Sequence, residues 1–96
     1  MAKGYWIAHV TVNDPANYPK YKDRVGPIVK AYNGRFLTRG GRFESPEGSP
    51  HQRHVIVEFD SFEKAKACYF SPEYQAAVKL RLAYATSNLY LVEGSD

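Results

Sequence analysis

From Tyr5 to Val12 the chain is rich in β-branched and aromatic residues and stops at Asn13-Asp14-Pro15, which predicts a strand and then a turn able to cap a helix. Between Asn17 and Tyr32 the pattern changes. Tyr18, Tyr21, Val25, Ile28, Val29 and Tyr32 fall three or four positions apart, the spacing of one helical face. Pro19 suits the first turn of that helix, whereas Gly26-Pro27 lies inside it and predicts a kink or a split. Asn33-Gly34 ends it, because both residues tolerate a left-handed backbone. Arg35 to Gly41 reads as a second strand, Ser45 to Gln52 as a polar loop, and His54 to Phe59 as the returning strand of a hairpin. Asp60-Ser61 can cap a helix from Phe62 to Tyr69. Ser71-Pro72-Glu73, a capping Ser with Pro and an acid after it, restarts a second piece that runs to about Ala85. Thr86 to Val92 is the last strand.

The order is β-α-β-β-α-β, which right-handed crossovers close as an α+β, ferredoxin-like fold: a four-stranded antiparallel sheet with the helices on one face. The central strands, first and third, are expected to run parallel. Alternation then sorts the side chains. Ala8, Val10, Val12, Val55, Val57, Phe59, Leu89 and Leu91 form an aliphatic set suited to lie under the helices. Tyr5, Ile7, His9, Thr11, His54, Ile56, Glu58, Asn88, Tyr90 and Val92 form the opposite face, which mixes ionisable groups with apolar surface. Apolar surface of that kind marks an interface, so a second copy is expected to cover it and enclose a cavity between the two sheets. With parallel registers Tyr5 aligns with His54 and His9 with Glu58, making His9 and Glu58 expected neighbours in that cavity.

Composition narrows the class. At 44% apolar and 24% charged residues, a packed fold is expected rather than disorder, and 96 residues hold one domain, residues 1–96. The first residues lack an uninterrupted apolar leader, no stretch is long enough to cross a bilayer, and Cys68 is the single cysteine; a cytoplasmic protein is expected. The net charge of +3 is spread without a basic run, so neither nucleic acid nor membrane is an expected partner. Eight Tyr, five Phe and one Trp are many for this length, and such rings line cores, interfaces and pockets.

Gly4-Tyr5-Trp6, Tyr18 with Tyr21, Tyr32 through Leu37, Arg39-Gly40-Gly41, Glu58-Phe59 with Ser61, Tyr69 and Ser71 through Gln75 together resemble the domain-of-unknown-function 1330 family over almost the whole length. Where that family has two glycines before the aromatic of the second strand, this chain has Asn33-Gly34, and the loop after Phe43 matches less well. The resemblance implies a dimeric α+β barrel, an architecture shared with small cofactor-free monooxygenases, isomerases and dehydratase-like proteins. It implies no particular reaction.

His9 and Glu58 are the candidate catalytic pair, a base and the carboxylate that orients it; the alternative is a structural ion pair at the interface. Arg39, before Gly40-Gly41, can offer its guanidinium fork to a ligand carboxylate, or stand as a surface residue beside a bulge. Tyr69, Tyr74 and Arg81 can hydrogen-bond a ligand at its edge, the alternatives being packing for the tyrosines and an ion pair for Arg81. His51 and His54 have no acid or cysteine nearby to complete a metal set, Cys68 reads as a small buried thiol, and no phosphate-binding or dinucleotide motif occurs, so neither metal nor cofactor is expected. The function these residues point to is binding or transforming a small organic molecule in the dimer cavity. A ligand-binding or stress-related module without chemistry is the alternative. Single-stranded RNA binding ranks third, because His54 to Phe59 lacks the basic-Gly-aromatic pattern of an RNA platform.

Overall fold

The sheet is built in the order β2-β3-β1-β4 from β1 (Gly4–Val12), β2 (Arg35–Arg39), β3 (Arg53–Phe59) and β4 (Ala85–Glu93). The computed structural model describes residues 2–48 and 51–95, so positions 49 and 50 of the expected polar loop lie outside it. Helices α1 (Pro19–Ala31), α2 (Phe62–Tyr69) and α3 (Pro72–Tyr84) complete the ferredoxin-like α+β fold and pack on one side of the sheet. Among the described residues no helix is long and apolar enough to cross a membrane.

Local chemistry sets the helix limits. Tyr21, Val25 and Val29 repeat every four residues and are the buried stripe of α1. Pro27 lies inside α1, which is nonetheless one helix rather than two. Asn33 takes φ 60° just past its end, and the Gly34 N–H donates to the Val29 carbonyl at 2.9 Å, closing the last turn. Both downstream caps form as the sequence indicates: Ser61 Oγ accepts from the Lys64 N–H at 3.1 Å and Ser71 Oγ from the Tyr74 N–H at 3.2 Å.

All neighbouring strands are antiparallel, β1 and β3 included. This corrects the expected parallel pair. A right-handed crossover through α1 returns β2 parallel to β1, and the hairpin then reverses β3. The register is therefore inverted: Tyr5 stands opposite Glu58, and His9 opposite His54. The face assignments survive, because alternation has the same parity in either direction. Trp6, Ala8 and Val10 with Val57 and Phe59 are buried beneath the helices, while Tyr90 and Val92 are exposed on the open face. Trp6 anchors the core. Its ring centroid lies 5.3 Å from that of Phe59 and 4.7 Å from that of Tyr74, and its indole N–H donates to the Ala65 carbonyl at 2.9 Å.

Candidate functional site

On the helix-covered side a cleft opens between the sheet and α1. Its floor is Trp6, Ala8 and Val10 of β1 with Val55 and Val57 of β3, and Tyr18, Tyr21, Lys22 and Val25 form the opposing wall. Phe36 and Arg39 of β2, Arg53 of β3, Arg81 of α3 and Leu89 of β4 complete it. The space is small, about 30 Å³, so a ligand beyond a few atoms requires the side chains at its mouth to shift. Arg39 is exposed and Lys22 half-exposed, so both can do so.

Guanidinium groups come to this cleft from separate elements. Alternation puts Arg53 on the same face as Val55 and Val57, and its Cζ lies 5.8 Å from the centroid of the Tyr18 ring. Gly40, at φ 74°, makes room for it: a side chain there would collide with the Arg53 guanidinium. A bulge at Leu37, between Phe36 and Thr38, resets the alternation of β2 and turns Arg39 to the helix side opposite Val55. There Arg39 lies 4.2 Å from the Phe36 ring centroid and donates to the Lys22 carbonyl at 2.8 Å, spanning from β2 to α1. Arg81 is buried, donates to Ser87 Oγ at 2.6 Å, and has its Cζ 5.9 Å from the centroid of Tyr21. The Nε atoms of Arg53 and Arg81 are buried and have no hydrogen-bond partner among the described residues.

Behind the wall the hydroxyls of Tyr21 and Tyr74 meet at 2.8 Å. Burial, followed by the neighbouring Tyr74, holds the Tyr21 phenol well above its ordinary range, and burial likewise raises Tyr74. Both are protonated donors near neutral pH. Among the described residues lining the cleft there is no Asp, Glu, His or Cys.

The open face carries a different constellation. His9 Nδ1 and His54 Nδ1 are 2.8 Å apart, and His51 Nδ1 lies 2.9 Å from Thr11 Oγ1. Partial burial, then the neighbouring His54 and His51, lowers the His9 pKa. Glu58 belongs to another cluster: it accepts from Arg35 Nη2 at 2.5 Å and from the Tyr5 hydroxyl at 3.1 Å. The Arg35 hydrogen bond holds its carboxyl below the usual range. His9 and Glu58 thus share a face without being neighbours. With His9 opposite His54, Glu58 is four residues further along β3, about 13 Å at the rise of a strand.

Of the residues singled out from sequence, the structure brings Arg39 and Arg81 together at the cleft. Tyr74 is fully buried one layer behind it, and half-buried Tyr69 packs edge-on against Trp6 at 5.9 Å. Arg81 meets the hydroxyl of Ser87 rather than an acid. The other lining residues, Arg53, Tyr18 and Tyr21 among them, are not among the candidates from sequence; for Arg53 the available signal is its phase with Val55 and Val57. Among the described residues no three His, Cys, Asp or Glu side chains form a group able to hold a metal ion. Cys68 is buried, and burial pushes its thiol up to about 12.

A family model described as a domain of unknown function, DUF1330, matches residues 3–95. The chain belongs to the DUF1330 family. No curated protein matches it significantly. Among solved structures, this DUF1330 chain is similar to the RPA0582 protein of unknown function from Rhodopseudomonas palustris, at 19% identity and TM-score 0.76 over 99% of this chain and 84% of that one. It is similar to SnoaB, a cofactor-independent oxygenase from Streptomyces nogalater, at 13% identity and TM-score 0.67 over 100% and 96%. A dimeric ferredoxin-like protein of unknown function from Thermobifida fusca shares 14% identity at TM-score 0.51 over 95% and 92%. Identities this low speak for the fold alone.

Proposed function

We propose that this DUF1330 chain binds a small organic molecule in the cleft between the sheet and α1 of each protomer, and that two protomers associate through the open sheet face. The observation that carries the first part is the convergence of Arg39, Arg53 and Arg81 on an aromatic-walled cleft. Apolar walls with a few polar groups aimed inward are how small-molecule sites are built. The reading puts the ligand on the helix side, not between the two sheets as expected from sequence. Association is supported by exposed Tyr90 and Val92 beside half-buried Ile7 and Ile56, and by the dimeric relative from Thermobifida fusca.

Binding is favoured over acid-base catalysis because the described lining offers no carboxylate, imidazole or thiol to take a proton near neutral pH. Transformation of the bound molecule is the second reading. It draws support from the cofactor-independent oxygenase among the structural neighbours, and from guanidinium groups suited to stabilise a developing oxyanion. Trp6, the only tryptophan, lines the cleft, so its fluorescence reports occupancy. Small acids, amides and alcohols are to be titrated against the protein and against Val55→Phe, which narrows the cleft from its floor. Titratable changes in the native protein, weakened in Val55→Phe at unchanged dimer mass, are the expected result. Equal responses in the two proteins would refute the site, and turnover of a bound compound would select the second reading.

A further inference from the structure

We propose that this cleft selects a small carboxylate with an apolar body, held by Arg53 and Arg81; the proposal rests on the reading that the cleft is a ligand site. Arg81 is only 4% exposed, so its charge has been withdrawn from water. A guanidinium cannot shed its proton to relieve that, and a buried charge without a counter-charge is strongly unfavourable. Its hydrogen bond goes to the neutral hydroxyl of Ser87, and its Nε has no partner among the described residues. Half-buried Arg53, on the floor strand, shares one part of this: its Nε is buried and has no hydrogen-bond partner among the described residues. Among the described residues the ion pairs are those of Arg35 with Glu58 and Asp60, both away from the cleft, and no described carboxylate pairs with Arg53 or Arg81.

Lys22 and Arg39 at the mouth add charge of the same sign. A cation is repelled there, and a neutral molecule leaves the guanidinium groups uncompensated. A carboxylate offers lone pairs in the plane that a guanidinium fork recognises. The rest of the wall fixes the other end of the ligand. Trp6, Tyr18, Phe36 and Leu89 present apolar surface, which suits an alkyl or aryl group and disfavours a bare inorganic anion.

The test compares isosteric pairs: butyrate with butyramide, and benzoate with benzamide, followed by Trp6 fluorescence near neutral pH. Each acid is expected to bind about tenfold or more tightly than its amide. Arg53→Gln is expected to reduce that preference severalfold, the acid losing more affinity than the amide, with Arg81 supplying what remains. This variant is chosen because Arg53 is only half-buried, whereas a change at Arg81 threatens folding. Acid and amide binding equally, with Val55→Phe weakening both, would overturn the charge selectivity and leave the cleft standing as a site. If neither perturbs Trp6, the selectivity and the site fall together.

Discussion

The Nδ1 atoms of His9 and His54 face one another at 2.8 Å across the central strand pair, so a hydrogen bond between them holds a single proton. A second proton would set two N–H groups against each other, with His51 stacked nearby at 6.5 Å and Glu58 at the far end of the face committed to Arg35. The lowered His9 pKa has a defined thermodynamic sign. Between that lowered value and the ordinary 6.5 the unfolded chain binds more protons than the folded one, so stability is full above about 6.5 and is lost as pH falls through the lowered value. Melting temperatures followed from about pH 8 to about pH 5 are expected to drop more steeply for the native protein than for His54→Gln, which removes the like charge. Parallel profiles would contradict this coupling.

The separation of His9 from Glu58 yields a second expectation. Neither residue lines the cleft, and together they do not form a base and its orienter. His9→Ala and Glu58→Gln are therefore expected to leave benzoate affinity within about twofold of the native value, since distant sites couple weakly. A loss of tenfold or more in either variant, at unchanged secondary structure, would restore the open face as the ligand site.

Tyr21 and Tyr74 tie α1 to α3 through one buried hydroxyl pair. Tyr74→Phe leaves the Tyr21 hydroxyl without that partner and is expected to destabilise the fold by about 1–2 kcal/mol in chemical denaturation. In the double Phe variant the loss should be smaller than the sum of the two single losses, because the partners vanish together. Strict additivity would mean the hydroxyls contribute independently.

Gly40 acts on the cleft from outside it. Its φ of 74° is a conformation that L side chains rarely adopt, and a Cβ there meets the Arg53 guanidinium rather than backbone. Gly40→Ala is expected to lower stability by about 1 kcal/mol and to displace Arg53. Its diagnostic effect is on binding: weaker benzoate with unchanged benzamide, although no charged group has been removed. Unchanged benzoate affinity would mean the guanidinium reaches the ligand without that glycine.

The elements were legible because their signals are local. The four-residue spacing of Tyr21, Val25 and Val29 and the Ser71-Pro72-Glu73 cap mark α1 and α3 without reference to the rest of the chain. Face membership was legible for the same reason, whereas strand direction was not. Alternation reads the same forwards and backwards, so it fixes His9 and Glu58 on one face but not their distance along it, which the antiparallel register sets at four residues. Direction follows from topology, which hairpin and crossover determine together. The sequence singles out Arg39 and Arg81 only as candidates, and the Leu37 bulge that turns Arg39 toward the cleft has no clear sequence signal. The cleft arises only when α1 settles over β1 and β3, and nothing within α1 announces it.

Which side of the sheet receives the ligand is decided directly by a nuclear magnetic resonance titration of the native protein with benzoate. Saturable shifts of the Trp6 indole N–H and the Arg53 and Arg81 Nε–H signals, with the His9 and His54 ring signals unmoved, are the predicted result. Saturable shifts confined to His9, His54 and Tyr90, with Trp6 unmoved, would put the ligand on the open face and contradict the account.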